Sequence, residues 1–169
     1  MKNIELKIKV NDFKEIEKFL KVSGAKYYNA LNQKDIYFNC ARGRLKIREI
    51  NNKNFELIFY RRPDSLINKL SNYSIMPINR AQLKQFKNIL VLSAGIKVVV
   101  FKNRKLWLFK NTRIHLDNVD KLGKFLELET VLGRISKAEG EKEYLEIYNL
   151  LKLSRFEKID KSYSDLLLK

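Results

Sequence analysis

"NIELKIKV", residues 3–10, alternates polar and apolar side chains at every position. On a β-strand successive side chains point to opposite faces. Ile4, Leu6, Ile8 and Val10 then form one face, and Asn3, Glu5, Lys7 and Lys9 form the other. The second face carries both signs of charge. It is either the wet side of a sheet or one wall of a site.

The pattern recurs along the chain. In RLKIREI (44–50), Arg44, Lys46 and Arg48 oppose Leu45 and Ile47. In 54–62, Glu56, Tyr60 and Arg62 oppose Phe55, Leu57 and Phe59. Lys102 and Arg104 share a face; Arg113, His115 and Asp117 oppose Ile114 and Leu116; Glu127 and Glu129 oppose Leu126 and Leu128. Eight strands are predicted, over 3–10, 35–39, 44–50, 54–62, 97–102, 105–109, 112–117 and 124–132. Residues 65–78, rich in Ser, Asn and Lys with Pro77 near the end, read as a connection. One helix follows a cap at Asn11 or Asp12, with Phe13, Ile16, Phe19 and Leu20 on one side and Gly24 as its stop. A second runs from Asn79 to Gly95. Ser136 and Glu139 form a capping-box pattern that opens a third, to about Leu153.

A sheet must bury its apolar face. Three helices suffice to cover the outside of a curled sheet, which turns the ionic faces inward. Such an interior is costly unless the charges pair or meet a ligand. Alternation alone also allows an open antiparallel sheet with helices on one face and water on the other.

Composition narrows the function. A chain of 169 residues suits one domain, residues 1–169, and 45% hydrophobic content is too high for a disordered chain. Lys and Arg outnumber Asp and Glu by 35 to 19, a net charge of +16. That excess attracts anions: nucleic acid, anionic membrane or phosphorylated small molecules. The single cysteine, Cys40, excludes an intramolecular disulfide and a cysteine zinc site. A cytoplasmic location and no membrane partner are expected, because the start is charged from Lys2 and the apolar run at 98–101 is short.

The signs of the charges say more. The carboxylates Glu5, Asp117, Glu127 and Glu129 suit a hard divalent cation. The bases fall on other strands. Acids that hold a metal, beside bases that hold phosphate oxygens, are the parts of a phosphoryl-transfer site. His115, the only histidine, reads as a proton shuttle or as an orienting residue beside Asp117. Trp107 and Phe109 read as core or as a stacking surface.

With these residues in place, a family resemblance emerges. NIELK resembles the E-x-E-x-K signature of the CYTH superfamily, the triphosphate tunnel metalloenzymes. DIYFN, GRLKIR and LIFYRRPD are similar to its next segments. RIHLDNVDKLGKFLELE (113–129) resembles H-L-D-x-V-x-x-L-G-x-F-x-E-x-E of class IV adenylyl cyclases, and SYSDLLL the family's C-terminal S-Y-x-D-L-L. The resemblance implies an α+β fold: an eight-stranded antiparallel β-barrel, the triphosphate tunnel, with helices packed outside.

It also implies a triphosphorylated small molecule as partner and Mg²⁺ or Mn²⁺ as cofactor. Glu5, Lys7, Glu127 and Glu129 match the catalytic positions, with Glu5, Asp117, Glu127 and Glu129 as metal ligands. Lys7, Lys46, Arg48, Lys102, Arg104 and Arg113 match phosphate contacts. Arg44 is placed at the tunnel mouth and Lys69 is a further phosphate candidate. The usual lysine before the proline becomes Arg61, counting from Pro63, or Arg62, following strand alternation. One departure stands out: Asn3 replaces the first signature glutamate.

The reading is a metal-dependent phosphohydrolase of a small triphosphate such as tripolyphosphate, thiamine triphosphate or a nucleoside triphosphate. The alternatives are a class IV adenylyl cyclase and a non-catalytic triphosphate or polyphosphate binder. Nucleic-acid binding is a further class, without a recognised motif.

Overall fold

The computed structural model describes residues 2–61 and 69–168. Eight strands run β1 (Lys2–Val10), β2 (Lys26–Phe38), β3 (Arg44–Ile50), β4 (Asn54–Arg61), β5 (Lys69–Ile78), β6 (Ile96–Phe109), β7 (Thr112–Val119) and β8 (Gly123–Val131). Four helices are α1 (Lys14–Val22), α2 (Arg80–Ala94), α3 (Lys137–Leu150) and α4 (Tyr163–Leu167). The strands pair antiparallel in the order β1-β5-β4-β3-β2-β6-β7-β8. β1 also pairs with β8, so the sheet closes into a barrel.

The apolar faces point outward and the helices cover them. Leu6 and Ile8 of β1, Ile114 and Leu116 of β7, and Leu126 and Leu128 of β8 pack with Ile16 and Leu20 of α1 and Ile147 of α3. Across the barrel, Ile36, Phe38, Ile47, Phe55 and Ile78 meet Leu83, Phe86 and Leu90 of α2. Trp107 and Phe109 belong to the first of these cores. The open, wet sheet is therefore not the fold. Two apolar outer layers leave the ionic faces turned toward one another inside.

The local rules mostly operate as expected. Ser136 and Glu139 form both bonds of a capping box on α3. The α1 cap differs: the helix opens after Phe13, and Asp12 Oδ1 instead accepts the Lys14 N–H at 2.8 Å. Gly140 lets α3 approach the sheet, because a Cβ there would collide with the Leu132 side chain just after β8 and touch Ile4 of β1. At the β2–β3 turn Gly43 has φ +91°, and a Cβ would meet the Tyr60 carbonyl at 2.8 Å.

Eight strands are found, but not the eight expected. The stretches 97–102 and 105–109 are one strand, β6, held by β2 on one side and β7 on the other. The eighth is β5, inside the segment read as a connection. Pro77 is tolerated there because β5 pairs with β1 only over 69–72, so residue 77 has a ladder partner, Glu56 of β4, on one side alone. β2 also starts nine residues earlier than 35–39, at Lys26. Its first half has polar residues on both faces and a register shift between Tyr27 and Asn29, which blurs the alternation.

Candidate active site

The inward faces surround a cavity of about 270 Å³. β1 contributes Asn3, Glu5 and Lys7; β2 Gln33, Asp35 and Tyr37; β3 Lys46 and Arg48; β4 Glu56 and Tyr60; β5 Tyr73. Lys102 and Arg104 of β6, Arg113 and His115 of β7, and Glu127 and Glu129 of β8 complete the wall. At one end stand Ser162 and Tyr163, at the start of α4.

Two carboxylates organise the bases. Asp35 accepts Lys46 Nζ at 2.7 Å and Arg48 Nε and Nη2 at 2.7 and 2.8 Å. Asp117 accepts Arg104 Nε and Nη2, both at 2.6 Å, and Lys102 Nζ at 3.2 Å. Register explains the match: Asp35 lies directly opposite Arg48, and Asp117 directly opposite Arg104. The forked guanidinium then meets both carboxylate oxygens.

Burial works to raise the Asp35 pKa, but the charges of Arg48 and Lys46 outweigh it and hold the carboxyl well below the usual range. Asp117 is likewise pushed down to about 2: burial opposes, and the Arg104 and Lys102 charges win. Burial, helped by the Arg48 charge, brings Lys46 down to about 7. Lys102 is lowered for the same reasons, burial first and Arg104 second.

Glu127 joins the second clamp to the metal-type residues. Its Oε2 accepts Arg104 Nη2 at 2.6 Å, and its Oε1 lies 3.2 Å from Lys7 Nζ. Lys7 also donates to the Lys161 carbonyl at 3.0 Å and lies 4.0 Å from the centre of the Tyr163 ring. Tyr163 in turn donates its hydroxyl to Asp117 Oδ2 at 3.0 Å. The start of α4 thus packs directly onto the basic belt.

β8 lies between β1 and β7, so its glutamates have neighbours on both sides. Glu129 faces Glu5 and Arg113, and Glu127 faces Lys7 and His115. His115, Glu127 and Glu129 bring one ligand atom each to within 4.8 Å of one another, a group suited to a metal ion. Burial lowers the His115 pKa, with the Arg104 charge adding to it. Both glutamates are held below the usual carboxylate range: burial opposes, and Lys7 leads for Glu127 and His115 for Glu129. The donor set fits a divalent cation, since two ionised carboxylates and an imidazole nitrogen meet in one buried wall.

The expected site residues sort as follows. Glu5, Lys7, Lys46, Arg48, Lys102, Arg104, Arg113, Glu127 and Glu129 all line the cavity. Glu5 accepts the Tyr73 hydroxyl at 2.7 Å. Asp117 was expected beside the metal; instead its oxygens are taken by Arg104, Lys102 and Tyr163, and it is outside the His115–Glu127–Glu129 group. Arg44 sits at the α4 end, 2.8 Å from Asp165, rather than in the cavity wall. Arg61 is exposed and not part of that wall, because it falls on the opposite parity to Tyr60. Arg62 and the side chain of Lys69 lie outside the described residues. Asn3 is buried with its Oδ1 unpartnered among the described residues.

Asp35, Gln33, Tyr73 and Tyr163 were missed. Asp35 had a signal in DIYFN: an acid on the strand face opposite Ile36 and Phe38, as Asp117 is opposite Leu116. Tyr73 was hidden in the supposed connection. Tyr163 stands in the SYSDLLL motif, which marks the segment but not its contact with Asp117.

Comparison with known proteins agrees with this geometry. A CYTH domain model matches residues 1–163. The "Putative adenylate cyclase" of Methanocaldococcus jannaschii is 28% identical over 179 aligned positions, covering 98% of each chain. The PH1012 protein of Pyrococcus horikoshii has a similar structure, with TM-score 0.80 and 25% identity over 97% of this chain and 98% of that one. A Hippeastrum adenylyl cyclase homologue, described as revealing a dominant triphosphatase activity, shares the fold at TM-score 0.71 and 15% identity, covering 99% and 95%. Barrel, inward charges and a match along nearly the whole length lead to one conclusion: this chain belongs to the CYTH domain family.

Proposed function

We propose that the chain is a divalent-metal-dependent phosphohydrolase of a small triphosphate. One observation carries this reading: two Lys–Arg pairs, Lys46 with Arg48 and Lys102 with Arg104, share one cavity with Glu5, Glu127 and Glu129. The bases hold the phosphate chain, exchanging some contacts with Asp35 and Asp117 for contacts with phosphate oxygens. Lys7 places a further positive charge beside Glu127. Glu5, Glu127 and Glu129 would hold Mg²⁺ or Mn²⁺, with His115 adjacent. When bound, such an ion neutralises phosphoryl charge and makes water a better nucleophile. Water adds to the terminal phosphorus, the bond to the bridging oxygen breaks, and orthophosphate leaves the shortened chain.

Cavity size is one argument for hydrolysis over cyclisation. A cavity of about 270 Å³ falls just below the roughly 300–1,000 Å³ of pockets that engulf a drug-sized ligand. It accommodates a phosphate chain with the organic half near the mouth. Cyclisation needs the ribose 3′-oxygen brought in as well, to attack the α-phosphorus. The triphosphatase activity described for the Hippeastrum homologue supports the same choice.

The test is product analysis with tripolyphosphate, thiamine triphosphate and ATP, in Mg²⁺ and in Mn²⁺. Orthophosphate release that disappears in a Glu127→Gln/Glu129→Gln double variant is the expected result. Cyclic AMP with pyrophosphate replaces the reading by the cyclase. Binding without turnover replaces it by the binder, and the neutral Asn3 then becomes the first residue to examine.

A further inference from the structure

His115 is the least explained group in the wall. It is 4% exposed, and its Nδ1 has no hydrogen-bond partner among the described residues. Buried polar atoms are nearly always satisfied, so such an atom points to something that completes it. Nδ1 lies 3.8 Å from Glu127 Oε2 and 3.9 Å from Glu129 Oε1. Both distances are too long for a hydrogen bond.

They are the right length for a different relation. Donor atoms about 2.1 Å from one shared ion lie at most about 4.2 Å apart. Both His115 separations fall inside that limit. Register makes the grouping inherent in the fold: His115 is directly opposite Glu127, and Glu129 is two residues along the same strand, on the same face. The cations around the group are Arg104 on Glu127 at 2.6 Å, Lys7 on Glu127 at 3.2 Å and Arg113 near Glu129 at 3.9 Å. All three contact carboxylates, and none supplies a partner to Nδ1.

We infer that His115 Nδ1 is itself a metal ligand, giving this chain a mixed nitrogen–oxygen centre that prefers first-row transition ions to Mg²⁺. Resting on the metal-dependent reading above, this sharpens which ion the site takes. The chemical reason is donor type. Mg²⁺ is served by oxygen donors, whereas an imidazole nitrogen adds selectively to the affinity of transition ions, which rises from Mn²⁺ onward along the row.

The first test is nitrogen detection by pulsed electron paramagnetic resonance on the full, tag-free chain loaded with Mn²⁺. His115 is the only histidine, so growth on ¹⁵N-histidine labels that ring alone. The expected spectrum shows a directly bound nitrogen whose coupling changes from the ¹⁴N to the ¹⁵N pattern. Bound Mn²⁺ without histidine coupling overturns the inference and leaves the triphosphatase reading standing; absence of Mn²⁺ binding overturns it too. The second test is calorimetric titration with Mn²⁺ and Mg²⁺. In His115→Gln, which offers an amide in place of the ring nitrogen, the Mn²⁺-to-Mg²⁺ affinity ratio should fall at least tenfold. A ratio that moves by less than threefold overturns the inference. Orthophosphate release in the unaltered protein reports separately on the proposed function.

Discussion

The barrel contains the same device twice. In β2 and β3, Asp35 holds Lys46 and Arg48; in β6 and β7, Asp117 holds Lys102 and Arg104. Each is an aspartate opposite the arginine of a Lys-x-Arg pair. They differ in what surrounds them. Asp117 is fully buried and also accepts Tyr163, while Arg104 continues to Glu127. Beside the Asp35 clamp lie Tyr37 and Tyr60, and the Arg48 side chain keeps 17% exposure against 6% for Arg104. One clamp is tied into the carboxylate wall and the C-terminal helix. The other is more open to the cavity, and on the reading proposed above it is the one that exchanges more readily with phosphate. The comparison shows how identical chemistry acquires different surroundings from its neighbours.

The largest expected effect is from Asp117→Asn. It leaves the buried Arg104 and Lys102 short of a charge partner, and breaking such a buried pair costs roughly 3–5 kcal/mol. Urea denaturation measures the loss. Asp35→Asn should cost visibly less, because Lys46 is already close to giving up its proton at pH 7. In that variant, added tripolyphosphate should raise the melting temperature more than in the unaltered protein, since the anion replaces the missing carboxylate. Equal losses in the two variants would break the comparison.

The pH dependence separates the clamps next. Asp117, Glu127, Glu129 and Asp35 are all depressed below ordinary values of 3.8 to 4.5. Their stabilisation is complete above those values and is lost as pH falls through the folded pKa, about 2 for Asp117. Lys46 adds a slope of the same sign on the alkaline side. Its folded pKa of about 7 lies below the ordinary 10.5, so the unfolded chain binds more protons between them and stability rises with pH. Denaturation series should show an acid limb in the unaltered protein and a shallower alkaline rise in Lys46→Met.

The smallest effect is expected outside. Arg61→Ala should leave KM for tripolyphosphate within twofold, because Arg61 faces away from the cavity wall. Arg48→Ala should raise KM at least tenfold in the same assay. A comparable rise in both would place Arg61 at the phosphate chain after all.

Much of this is legible in the sequence. The alternation in 3–10, 44–50 and 112–117 reports a strand with one greasy and one ionic face, and these strands form as expected. Lys46, Arg48, Glu127 and Glu129 line the cavity, and each is legible because it shares a parity with other charges. Where the pattern failed, the cause was physical. β5 was obscured by Pro77, which an unpaired edge tolerates, and the first half of β2 by polar residues on both faces. Asp117 was counted with the acids because sequence shows its sign but not its partners.

By itself the sequence determined which residues share a strand face, since side-chain direction on a strand depends on parity alone. It also determined the family, through motifs kept in order along the chain. Only the tertiary structure decided who meets whom inside. Barrel closure brings β8 between β1 and β7, which sets Glu127 against both Lys7 and His115, residues 108 positions apart in the chain. It also carries Tyr163 across the end of the barrel to Asp117. Those pairings depend on strand order and register, and cross-strand register is a property of two segments together, which neither contains alone.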